Sequence, residues 1–214
     1  MQNIDAVLFD WDGTLLDSFP SGFKASMAVF RYFGIKGHQE RFHETYNPNW
    51  YETYRRLGIP RSEWDRADQI WRRTYGKYPP ELYPFARATL EALVRNGYTI
   101  GLVTSGNRDR VIAELERHRL VDFFSTRVYC EDTKEKKPHP APLVTALERM
   151  GADVSRSVYV GDRPEDIAMG QQTGSFTIGV MSAYVTREAL EAASPDLLLP
   201  NAGHLPNTFC PRRG

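Results

Sequence analysis

Short apolar runs alternate along this chain with segments whose apolar residues recur at three- and four-residue spacing. Residues 4–9, 98–103, 158–160, 176–180 and 197–199 are apolar on both faces apart from Asp5, Thr99 and Thr177, the mark of buried strands, and residues 128–130 are a candidate sixth. Between them the spacing predicts helices: Leu90, Leu93 and Val94 precede Gly97, Val111, Ile112 and Leu115 share a face, and Leu143, Leu147 and Met150 precede Gly151. Gly97 and Gly151 stand where a helix ends in a left-handed residue. Strand, helix and strand repeated in this way predict right-handed βαβ units and an α/β, doubly wound parallel sheet.

The segment from Pro20 to Pro84 breaks the alternation, with helical patterns and no buried strand. It predicts a helical insert at 20–84 within a core of 1–19 and 85–214. Phe23, Met27 and Phe30 lie on one helix face before Gly34, and Ser62 stands as the N-cap of a later helix. The insert is crowded with aromatic and basic side chains, among them Trp50, Tyr54, Arg55, Trp64, Trp71 and Arg72. Its aromatics are expected to form a small core of their own, with the arginines solvated.

Composition narrows the partners. The 214 residues carry 27 basic and 27 acidic side chains, so no net charge advertises a nucleic acid or an acidic membrane, and a small molecule is the expected partner. No apolar run approaches the roughly 18 residues of a membrane span, and residues 1–5 leave no room for a signal peptide. Cys130 and Cys210 show neither a disulfide framework nor metal-ligand spacing, which fits a soluble, cytoplasmic chain.

Four polar groups fall at the C-terminal ends of the expected strands, where open α/β sheets place their ligand crevice. They are Asp10-Trp11-Asp12-Gly13-Thr14, Thr104-Ser105-Gly106-Asn107, Lys137 within Lys136-Lys137-Pro138, and Gly161-Asp162 followed by Asp166. Each has a plain structural reading alone: a turn at Asp12-Gly13, a helix cap at Thr104 to Asn107, a solvated charge run at Lys137, and a turn at Asp162 before Pro164 in the first helical position. Together they bring complementary charges to one sheet edge. Asp10, Asp162 and Asp166 make a hard-oxygen site suited to Mg²⁺, Lys137 offsets their charge, and Thr104 with the Ser105 backbone N–H offers donors to phosphate oxygens.

The order Asp10-x-Asp12-Gly13-Thr14, Thr104, Lys137-Pro138 and Gly161-Asp162-x-x-x-Asp166 resembles the haloacid dehalogenase superfamily, closest to its phosphoglycolate phosphatase-like branch, over nearly the whole chain. The resemblance implies a Rossmann-like core with a helical cap inserted after the first strand. It also implies Asp10 as a nucleophile forming an aspartyl-phosphate, Asp12 as general acid and base, and Thr104 and Lys137 as catalytic phosphate-binding groups. Mg²⁺ is expected among Asp10, Asp12, Asp162 and Asp166. An acid at Asp12 argues against dehalogenation, because a departing halide needs no proton. The expectation is a Mg²⁺-dependent phosphatase acting on a small phosphorylated metabolite, as a monomer or homodimer. A β-phosphoglucomutase-like mutase shares these residues, whereas a non-catalytic module has no need of Asp10, Asp12 and Lys137 together.

Overall fold

The computed structural model describes residues 4–47 and 49–208; residues 1–3 and Cys210 lie outside it. The chain divides into two compact units, Met1–Leu16 with Leu82–Gly214, and Asp17–Glu81. After β1 (Ala6–Phe9), two strands of two residues each, β2 (Leu16–Asp17) and β3 (Glu81–Leu82), lie on the unit boundary and pair with each other. The division therefore falls three residues before each boundary expected from the prolines. Pro20 marks no border, because it sits in the first turn of a helix that begins at Phe19, where its missing N–H is tolerated.

The Asp17–Glu81 unit is helical: α1 (Phe19–Tyr32), α2 (Gln39–Thr45), α3 (Trp50–Arg56) and α4 (Trp64–Tyr75). Its core joins Val29 and Phe30 of α1 to Tyr54, Leu57, Ile59 and Ala67, with Trp50, Trp64 and Trp71 packed around it. Arg55 and Arg56 pair with Glu52, and Arg72 with Asp68, on the outer face. Ser62 is not an N-cap. Arg61–Glu63 form a 3₁₀ turn that starts at Pro60 and runs straight into α4, so Ser62 lies inside the turn.

The other unit carries β4 (Thr99–Val103), β5 (Thr126–Val128), β6 (Ser157–Gly161), β7 (Phe176–Val180) and β8 (Leu197–Leu199) in a six-stranded sheet of order β5-β4-β1-β6-β7-β8. Every neighbouring pair is parallel. The strand at residues 128–130 begins two residues earlier than expected: Thr126 pairs with Gly101 and Val128 with Val103, and the edge position tolerates the polar Arg127. Helices α5 (Ala86–Arg95), α6 (Arg108–Arg117), α7 (Ala141–Met150), α8 (Pro164–Thr173) and α9 (Arg187–Ala192) alternate with the strands, and the short α10 (Leu205–Thr208) follows. Gly97 and Gly151 adopt φ of 80° and 60° behind α5 and α7, as a left-handed helix end requires.

Period-two alternation splits the sheet's side chains between two cores. Val7 and Phe9 of β1 join Ile100, Leu102, Val158 and Val160 in the larger one, and Ala6 and Leu8 join Val103 and Tyr159 in the smaller. No described helix is long and apolar enough to cross a membrane. Leu90 of α5 is fully buried in the larger core, while Val94, one turn on, is 48% exposed. Leu90→Ala should cost about 2–5 kcal/mol in urea unfolding with an unchanged slope, whereas Val94→Ala should stay within about 0.5 kcal/mol of the wild type.

Candidate active site

Parallel strands run out of ladder partners at their ends, and the residue just beyond β1 or β4 takes one more bond. The Asp10 N–H donates to the Val160 carbonyl and the Thr104 N–H to the Val128 carbonyl, each at 2.9 Å. Both residues are thereby fixed to the C-terminal edge of the sheet. Asp162 follows β6 directly, and β6 lies beside β1, so two carboxylates are forced to the same place by strand order alone. Asp166 reaches it from the first turn of α8, where its Oδ2 accepts the Arg163 N–H at 3.1 Å. One carboxylate oxygen from each of Asp10, Asp162 and Asp166 lies within 4.8 Å of the others.

Lys137 enters this cluster from the loop before α7. Its Nζ donates to Asp10 Oδ1 at 2.6 Å and to Asp166 Oδ1 at 2.8 Å, with its side chain only 3% exposed. The ring of Tyr159 lies beneath, its centroid 5.4 Å from Nζ, and the Tyr159 hydroxyl donates to the Val103 carbonyl at 3.0 Å, with Asp166 Oδ1 3.3 Å away. Burial lowers the Lys137 ammonium, but Asp10 and Asp166 outweigh it and hold the group above its ordinary value. Burial raises the Asp10 carboxyl from its ordinary 3.8 to about 7, against the pull of Lys137, and Asp166 adds to the rise. Asp162 is pushed well above the carboxylate range by burial first and then by Asp10 and Asp166.

Three carboxyl groups crowd one ammonium, their mutual repulsion and burial favour the protonated form, and the donor atoms show where a cation that takes the place of a proton fits. Asp162 Oδ2 accepts the Ser182 hydroxyl, which is itself fixed by accepting the Tyr184 N–H at 3.0 Å. Asp162 Oδ1 is buried without a hydrogen-bond partner among the described residues, a costly state that a hard cation would relieve. Gly13 makes room for that carboxylate: a Cβ there would fall 2.2 Å from Asp162 Oδ2, and its φ of 83° suits glycine besides. Asp10, Asp162 and Asp166 thus fit a divalent ion such as Mg²⁺.

Asp12, expected in the same metal set, does not join the cluster. Both of its side-chain oxygens are held by Arg110 of α6, with Nη1 3.0 Å from Oδ1 and Nη2 2.6 Å from Oδ2. Thr104 lies buried at the end of β4, where its Oγ1 accepts the Gly106 N–H at 2.9 Å, leaving the hydroxyl proton to be donated. Ser105 sits half-buried beside it in the same turn. Asn107 precedes α6, and Glu131 takes up the start of that helix, accepting from the Asn107 side chain and the Arg108 N–H, each at 3.0 Å. Sequence reasoning missed Arg110, Glu114, Tyr159 and Ser182. Only their contacts across the fold single them out.

Known proteins give the same reading of the chain. The sequence profile of the haloacid dehalogenase-like hydrolases matches residues 7–180. The chain is 31% identical to the pyrophosphatase PpaX of Bacillus velezensis, with 95% of each chain covered. It is 30% identical to the phosphoglycolate phosphatase of Yersinia pseudotuberculosis, over 94% of this chain and 91% of the other. Its fold superposes on a haloacid dehalogenase-like hydrolase of Streptococcus pneumoniae with a TM-score of 0.84 at 20% identity, over 98% of this chain and all of that one. Because the family profile runs from within the first strand to the end of the seventh, this chain belongs to the haloacid dehalogenase-like hydrolases.

Proposed function

We propose that the protein is a Mg²⁺-dependent phosphatase that hydrolyses a small, phosphoglycolate-like phosphate ester through an aspartyl-phosphate on Asp10. The observation that carries this reading is the buried Lys137 bridge between Asp10 and Asp166, next to an Asp162 oxygen with no hydrogen-bond partner among the described residues. A nucleophilic carboxylate can approach a phosphoryl anion only if positive charge is gathered around both. Relatives named as phosphatases support the assignment.

Each side chain then has a task. Lys137 holds Asp10 Oδ1, which leaves Oδ2 outside that pair as the attacking atom. Thr104 and the Ser105 N–H receive phosphoryl oxygens. Asp10, Asp162 and Asp166 are the residues that would hold Mg²⁺, whose contribution when bound is to neutralise phosphoryl charge. Asp12 gives a proton to the leaving oxygen and afterwards takes one from water, one group serving both half-reactions.

Trapping the intermediate tests this reading. Asp12→Ala should lower steady-state turnover by about 10²–10⁴-fold, while an activated aryl phosphate still labels the peptide that contains Asp10 in acid-quenched mass spectra. Asp10→Asn should carry no label and no activity. A label on another residue overturns the nucleophile, and transfer to an added sugar phosphate faster than to water replaces the phosphatase with a mutase.

A second measurement reads the metal without turnover. In chelator, the folded chain keeps a proton on Asp162 that the unfolded chain releases above pH 3.8, so this group costs more stability as pH rises. Asp162→Asn lacks that cost. Urea unfolding in chelator should give similar stabilities near pH 4.5 and a more stable variant at pH 7.5. Mg²⁺ at 100 times its Kd should add about 2.7 kcal/mol to the wild type at pH 7.5 and far less to the variant.

A further inference from the structure

One polar chain in the site has no task in this mechanism. Arg110 grips both oxygens of Asp12, its Nη1 also lies 3.1 Å from each carboxylate oxygen of Glu114, and Glu114 Oε2 in turn accepts the Trp11 indole N–H at 2.7 Å. The Arg110 and Asp12 side chains are only 17% and 21% exposed. The guanidinium rests on the turn that follows β4: a Cβ on Gly106 would fall 2.3 Å from Arg110 Nη2. A second cation is therefore seated against Gly106, in the turn that follows Thr104 and Ser105.

Its two ends differ. Nη1 is shared with Glu114, which Trp11 fixes, whereas the bond from Nη2 goes to Asp12 at 2.6 Å. Asp12 must exchange hydrogen-bond partners to serve a leaving oxygen and then a water. When Asp12 leaves, Glu114 still meets Nη1, and a second anion can take the place of Asp12 on the guanidinium fork. A ligand can supply one if its leaving portion carries a carboxylate or a second phosphate close to the ester oxygen, and either group matches the planar fork of arginine.

We propose that Arg110 is a specificity-determining residue that exchanges Asp12 for an anionic group on the leaving portion of the substrate. Binding of such a group releases Asp12 for proton transfer, and Glu114, fixed by Trp11, is the positioning residue that keeps Arg110 seated during the exchange. The inference rests on the phosphatase reading of the same site.

Two measurements on the full chain test it. The first compares kcat/KM on 2-phosphoglycolate and on ethyl phosphate, whose leaving portion is uncharged, for the wild type, Arg110→Met and Arg110→Lys. The second measures the affinity of the non-hydrolysable methylenediphosphonate and methylphosphonate by calorimetry with Mg²⁺. The wild type should prefer 2-phosphoglycolate by about 10- to 100-fold, and Arg110→Met should shrink that preference to about threefold or less. Lysine, which keeps the charge without the fork, should fall between. Methylenediphosphonate should bind Arg110→Met about tenfold or more weakly, with methylphosphonate nearly unaffected. Gly106→Ala, which displaces the guanidinium without removing it, should act in the same direction and serves if Arg110→Met unfolds. Equal losses on both esters, or a preference that survives both substitutions, overturns the role of Arg110. A wild type that binds methylenediphosphonate through Arg110 but cleaves no phosphate ester overturns the phosphatase reading and leaves the anion arm standing.

Discussion

Three carboxylates meet at the ends of two neighbouring strands and a helix, and one buried ammonium, Lys137, lies between two of them. Much of the surrounding structure follows from holding that group in place. Taking a carboxylate out of water costs several kcal/mol unless a partner meets it, and losing one partner of a buried pair costs about 3–5 kcal/mol. The Lys137 loop is accordingly tied down, with the Gln172 side chain donating to the Pro138 carbonyl at 3.1 Å and Tyr159 packed under the ammonium. Strand order creates the demand: β1 lies between β4 and β6, at the point where the connections turn to opposite sides of the sheet. The residues beyond these three strand ends converge whether or not their charges suit one another.

Strands and strand ends were legible in the sequence because one physical cause writes both. A strand buried on both faces is mostly apolar, so β1, β4, β6, β7 and β8 stand out as runs, and the polar residues just beyond β1, β4 and β6 mark the sheet edge. Asp10, Thr104 and Asp162 were found in this way. The edge strand β5 was displaced by two residues because an edge need not exclude a polar side chain such as Arg127. Ser62 misled because a local cap signal does not report that Pro60 has already started a tighter turn.

Arg110 and Glu114 were illegible for a different reason. Helix α6 reads RDRVIAELER, with charges spread around its circumference, and nothing in that string separates a buried arginine from a solvated one. The distinction is made by Trp11, more than 90 residues away, whose indole must find an acceptor inside the core. The same network corrects the place of Asp12. The family resemblance put it in the metal set, but its carboxylate answers to α6 instead of the cluster.

The pairing of β2 with β3 has a consequence for how such a chain can vary. Residues leaving the sheet unit at Leu16 and returning at Leu82 lie on strands about 4.8 Å apart. The chain is therefore closed at the unit boundary by these two short strands, and the length of what is spliced between them changes closure entropy only slowly. A change in the length of residues 18–80 is cheap in closure entropy. The junction behaves as a socket, whose closure depends on the two strands and only weakly on the size of the piece between them.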